Sequence, residues 1–225
     1  MSSQTLPVAS VSESANGADS QAWAVTVGPA LIDDINALDG DTIDCVPYID
    51  VVVGMTVTDR IGVYTKLLTL VNWGASLPAS EVVTSIILRI THKQRASRWP
   101  GSDIKDQMIR MIGLPAPDLN SSNIADGVAL PDALTQKSYG GGPVQTAWGI
   151  TGVLRGSDIN AAGFGFEVAY RGTPNTGLTG GLGLPVPPAP SVSIDFIEMV
   201  VTSTNPYTGA ESTIVIPHYA HKNLQ

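Results

Sequence analysis

Charge is scarce in this chain. Only 14% of its 225 residues are Asp, Glu, Lys or Arg, against about 25% in ordinary soluble domains. Sparse charge suits a surface covered by partners, because interface cores are depleted of it. It equally suits an all-β protein whose surface is wetted by Thr, Ser and Asn. A single cysteine, Cys45, excludes an internal disulfide, and assembly in a reducing compartment fits that. Cys45 lies beside Val46 and Ile49, so a buried structural thiol is expected rather than a nucleophile. The three histidines, His92, His218 and His221, are too scattered for a zinc site. No G-x-S-x-G elbow occurs, and no Ser or Cys has an evident histidine base. Neither an enzyme nor a cofactor is expected. Long apolar runs are missing as well. Val51-Val52-Val53 and Ile86-Ile87-Leu88 are far too short to span a bilayer, and with Met1-Ser-Ser-Gln-Thr no leader peptide is expected.

What is present points to strands. Hydrophobic residues make up 43% of the chain, with 23 glycines and 16 prolines. Short apolar runs are separated by turn residues from Trp23 onward, as in a β-sandwich. Ile86, Leu88 and Ile90 alternate with Ile87, Arg89 and Thr91, the period of a half-buried strand. Phe164, Phe166, Val168 and Tyr170 alternate with Gly165, Glu167 and Ala169. Val192, Ile194 and Phe196 alternate too, but the phase then slips to Ile197, Met199 and Val201, which predicts a β-bulge. The segment Ile104–Ile112 has helical spacing at Ile104, Met108, Met111 and Ile112, yet its surroundings favour a strand. One helical turn is expected within 157–162 and an extra strand over Thr213–Ile216.

The predicted organisation is an extended N-terminal arm over 1–22, a sandwich over 23–205, and a C-terminal tail over 206–225. Eight or more strands with long cross-connections favour a jelly-roll-like antiparallel β-sandwich over an immunoglobulin-like one. The arm is rich in Ser, Ala, Gln and Gly. A neighbouring subunit is its simplest anchor, although one layer of the same domain can also hold it. Residues 172–190 form a long Gly/Pro loop, of a length that is often functional.

The net charge of −8 is unevenly spread. Residues 1–59 hold nine acids and no Lys or Arg, while the remainder holds eleven acids and twelve bases. Arg89, Lys93, Arg95, Arg98, Lys105 and Arg110 carry half the positive charge of the chain. They read either as a solvated face of two neighbouring strands or as a basic edge that receives the acidic part of another copy, Asp33 and Asp34 included. Such complementary fields set register and partner choice. The acidic balance disfavours nucleic acid, and an arm without Lys or Arg cannot hold a genome.

Several features read more plainly as structure than as chemistry. The acidic run Asp33-Asp34…Asp39-Gly40-Asp41…Asp44 does not match a calcium loop, and a solvated turn is expected. Gly140-Gly141-Gly142 has no following Lys-Ser or Lys-Thr and is expected to be a turn that opens no helix. Among the acids Glu81, Glu167, Asp195 and Glu198, no spacing singles out a glycosidase pair. Trp73 and Trp148 precede Gly at strand–turn junctions and are expected to be buried. Trp99, between Arg98 and Pro100, is the best exposed aromatic and a candidate for stacking on sugars.

From about residue 64 to 204 the order of motifs resembles a family of jelly-roll virion proteins of tailed bacteriophages. The resemblance runs through Leu77-Pro78-Ala79…Val83…Ile86-Ile87-Leu88-Arg89-Ile90, then Ile104 to Ile112. It is densest at Tyr139-Gly140-Gly141, Ala147-Trp148-Gly149 and Leu154…Asp158-Ile159-Asn160…Gly163-Phe164-Gly165-Phe166-Glu167-Val168. The strand Ser191–Val201 completes it. Trp148 and Leu154 would cap one end of the sandwich, Asp158 and Asn160 would turn the chain, and Phe164 and Phe166 would enter the core. The resemblance implies a virion structural subunit, a head decoration (cement) protein that forms a trimer and binds the major capsid protein or other virion subunits. A tail, neck or fibre-attachment subunit and a glycan-binding module for host adsorption are the alternatives. It implies no membrane and no nucleic acid as partner.

Overall fold

The computed structural model describes residues 10–25, 39, 42–53, 56–95, 103–174 and 189–217. Alternation along the chain becomes strand wherever it was expected. Strand β6 covers Leu67–Val71, β7 Val82–Gln94, β8 Ile104–Ile112, β9 Thr135–Gly140, β10 Gly165–Gly172, β11 Val192–Thr204 and β12 Glu211–Pro217. Ile86, Leu88 and Ile90 of β7 are fully buried, as are Phe166, Val168 and Tyr170 of β10. Ile104–Ile112 is strand rather than helix, with Ile104, Ile109 and Met111 facing inward. In β11 the pairing with β7 skips between Ile194 and Phe196. That bulge lets Val192 and Ile194 on one side, and Ile197, Met199 and Val201 on the other, all face the core.

The N-terminal strands are β1 Ser10–Ser14, β2 Ala24–Val25 and β3 Ile43–Cys45, followed by β4 Tyr48–Val53 and β5 Thr56–Gly62. Two sheets result, packed face to face around one apolar core. The four-stranded sheet has the order β1-β6-β10-β8. The six-stranded sheet has the order β2-β3-β11-β7-β9, and β12 pairs with β11 beside β3. Strands β4 and β5 form a separate hairpin. From β6 to β11 every successive strand switches sheet, so all pairings between these strands are non-local. This is the winding of a jelly-roll-like antiparallel sandwich, as the long connections predicted.

Of the two anchors open to the residues expected as an arm, the described part takes the second, a layer of the same domain. Residues 10–25 belong to the domain itself. β1 pairs antiparallel with β6 from Ser10↔Val71 to Ser14↔Leu67, and Val11 packs on the core. Glu13 accepts a hydrogen bond from Lys66 Nζ at 2.7 Å and another from the Trp23 backbone N–H. Trp23 is buried and donates its Nε1–H to the Lys66 carbonyl. A sequence with one inward apolar residue can hold a sheet edge when a charge pair and a downstream indole pin it. Residues 1–9 lie outside the described residues. The C-terminal segment is also integral, since β12 extends the six-stranded sheet along the second half of β11.

The triple glycine is a correction. Gly140, Gly141 and Gly142 all have positive φ, and the one-turn helix α1, Val144–Trp148, follows directly. Gly140 is required twice over. Its φ of 81° favours glycine, and a Cβ there would come within 2.5 Å of Trp148 Nε1. That close approach lets the Trp148 indole N–H donate to the Ile86 carbonyl at 2.9 Å. Trp148 then packs on Phe166, which also meets Trp73 and Phe164 edge-on. Helix α2, Gly156–Ile159, supplies the expected turn. Asp158 accepts from the Arg155 backbone N–H, and the Asn160 side chain bonds both backbone groups of Leu77.

Candidate functional site

Opposite the aromatic end, polar side chains from both sheets meet inside the sandwich. Asp106 on β8 has a fully buried side chain. Its Oδ1 accepts from the Gly127 N–H at 2.7 Å, and its Oδ2 accepts from Tyr139 Oη at 2.9 Å and Lys137 Nζ at 2.8 Å. Lys137 also reaches Asp126 at 2.8 Å. Burial alone would lower the Lys137 pKa, but the bonds to Asp106 and Asp126 outweigh it and the net shift is upward. Tyr139 is held well above the ordinary phenol range by burial, and by Tyr170 and Asp106 nearby. His92 on β7 shares a hydrogen bond with Tyr170 Oη at 2.9 Å, while its Nε2 is buried without a partner. Burial, helped by the Lys137 charge, pushes the imidazole pKa down to about 4. The seam therefore joins β7, β8, β9 and β10, and, His92 Nε2 apart, its donors and acceptors are directed at one another.

The basic residues predicted as one edge are divided, because the connection after β7 crosses from one sheet to the other. Arg89 and Arg110 are neutralised within the domain. Arg89 stands directly across from Glu198 and donates to it at 2.8 Å. Arg110 stands directly across from Glu167 and donates to it at 2.5 Å. Lys93 and Arg95 line a cleft of about 340 Å³ at the outer end of the six-stranded sheet, with Asp44, Asp132, Ser191 and Ser193. Lys105 lies on the outer face of the four-stranded sheet, beside a cleft of about 240 Å³ that also touches Arg171, Gly127, Thr173 and Pro174. Asp33, Asp34, Arg98 and Trp99, and residues 175–188 of the Gly/Pro loop, lie outside the described residues.

Although on different sheets, Lys93, Arg95, Lys105 and Arg171 occupy the same end of the sandwich. β7 and β10 finish there, β8 and β11 begin there, and the Gln94 side chain accepts from the Ile104 N–H at 2.7 Å. Among the described residues, Arg60, Lys66, Arg89, Arg110 and Lys137 each contact a carboxylate. These four cations at the end do not, and neither does Arg155 at the opposite end, which donates to the Ser80 carbonyl.

Arg171 and Lys105 were within reach of sequence reasoning only in part. Lys105 was in the basic set, but nothing in the sequence placed Arg171 across from it. Cys45 is buried as expected, with its thiol pushed up to about 12 by burial, Glu13 and Asp44. Val46 and Ile49 beside it are exposed, not part of its apolar setting. Among the described residues no group of three or more His, Cys, Asp or Glu could hold a metal ion, and no helix is long and apolar enough to cross a membrane. Among the described residues the most exposed aromatic is Tyr207, 87% exposed at the tip between β11 and β12. The Asn205 side chain fixes that turn by accepting from the Tyr207 and Thr208 N–H groups. No family model, no curated protein and no solved structure matches this chain.

Proposed function

We propose that the chain is a structural subunit of a tailed-bacteriophage particle, a head decoration protein that works through contacts with its own copies and with the major capsid protein. The observation that carries this reading is the segregation of charge. The first 59 residues supply nine acids and no base, and four of the five described cations that meet no carboxylate, Lys93, Arg95, Lys105 and Arg171, sit together at one end of the sandwich, Arg155 lying at the other. Fields arranged this way orient and register partners. The resemblance over residues 64–204 and the low overall charge support the same reading. The polar seam fits a frame role, since its groups bond to one another.

The test is a heat-challenge comparison of particles with and without the chain. Particles carrying it should keep their genome at temperatures where particles lacking it release theirs, and re-adding purified chain should restore resistance. Equal heat resistance would remove the decoration role. A location in the tail, neck or fibre attachment is the second reading, favoured by the fixed turn that displays Tyr207. It predicts no effect on head stability.

A further inference from the structure

Cross-strand charges in this sandwich follow a rule with one exception. Arg110 faces Glu167 across β8 and β10, and Arg89 faces Glu198 across β7 and β11. Lys105 faces Arg171 across β8 and β10, directly opposite in register. Both are exposed on the same outer face, and like charges directly opposite each other are unfavourable. Arg171 has the Tyr64 ring beside it, 5.0 Å from the guanidinium carbon, and among the described residues neither cation meets a carboxylate. The cleft of about 240 Å³ between them contains one acid in its lining, Asp106. That carboxylate already accepts from Gly127, Tyr139 and Lys137. The neighbouring cleft of Lys93 and Arg95 is different, because Asp44 and Asp132 balance it.

We infer that the Lys105–Arg171 cleft is a docking site for the Asp33 and Asp34 carboxylates of a second copy of the chain. This rests on the reading of the chain as a self-associating particle subunit. The site is short of negative charge, and residues 1–59 hold nine acids and no base. Within one chain, the acidic run is tethered at both ends to the six-stranded sheet, through β2 and β3. The cleft opens on the four-stranded sheet at the same end of the sandwich, and a run that reached the cleft of its own chain would leave that chain monomeric at both salts.

The experiment is sedimentation velocity on the full chain at low salt and at about 0.5 M salt, where screening shortens to a few ångströms. Wild type should associate at low salt and separate at high salt. Lys105→Glu should weaken association at least about tenfold, with no fall in melting temperature, because the side chain is exposed and the like-charge contact is removed. Lys105→Arg should associate as wild type does. A variant carrying Asp33→Lys and Asp34→Lys should also fail to associate alone, and mixing it with Lys105→Glu should restore association. Monomeric wild type at both salts, undiminished association of Lys105→Glu, or failure of the mixture to associate would each overturn the inference. None of these outcomes decides whether the chain is present in particles, which is measured separately by its copy number.

Discussion

The two ends of this sandwich are closed by different chemistry. At one end Trp73 and Phe164 meet Phe166 edge to face, Trp148 packs on it tilted, and the Trp148 indole N–H donates to the Ile86 carbonyl. At the other end the same two sheets are joined by Asp106, Tyr139, Lys137, His92 and Tyr170. Apolar contact is undirected and insensitive to pH, whereas a hydrogen-bonded seam fixes register but depends on the protonation of its members. The aromatic end buries the largest side chain of the core, Trp148. The polar end is where the domain carries unmatched charge outward, on Lys105 and Arg171.

The largest effect should come from breaking the aromatic end. Trp148→Ala removes a fully buried ring and its bond to Ile86. It should cost about 4 kcal/mol, read as a lower urea midpoint at unchanged slope. A loss below about 1 kcal/mol would mean that this end is not the main anchor.

The polar end should respond to acid. In the folded chain the His92 pKa is down at about 4, against an ordinary value of 6.5. Between those values the unfolded chain binds the extra proton, so stability is complete above pH 6.5 and falls as pH drops toward 4. The shift corresponds to roughly 3 kcal/mol. Urea titrations across this range should show the fall, and His92→Gln, which stays neutral and can still bond Tyr170, should flatten it. An unchanged pH slope in His92→Gln would place the acid sensitivity elsewhere.

The smallest effect belongs to the outer faces. Arg110–Glu167 and Arg89–Glu198 are partly exposed pairs, each expected to contribute about 0.5 kcal/mol. A double-mutant cycle on Arg110 and Glu167 should show that coupling at low salt and lose much of it at high salt. A coupling above about 2 kcal/mol would mean that these pairs hold the sheets, rather than merely completing a register.

Much of this was legible in the sequence because strand periodicity is local. The alternation around Ile86, the slip after Phe196 that became the Asp195 bulge, and the late strand Glu211–Pro217 all follow from side chains that must face one core. Sheet membership was not legible. β7 and β8 are adjacent in sequence but lie in opposite layers, so a run of basic residues looked like one edge and is two faces. The anchor of the arm stayed open for a related reason: Ser10–Ser14 has a single inward apolar residue, and its place depends on Lys66 and Trp23, both outside that strand. The seam left a usable signal. His92 falls in phase with Ile86, Leu88 and Ile90, and Tyr170 with Phe166 and Val168. A polar residue in the inward phase of a strand requires a buried partner, though its identity comes only with the fold.

The central claim is that this sandwich serves by occupying a particle, and stoichiometry tests it most directly. Quantitative mass spectrometry on purified particles should count the chain on the order of hundreds of copies, as a symmetric shell of subunits requires. Absence of the chain from purified particles would contradict the account, and a dozen copies or fewer would move it from the head to the tail.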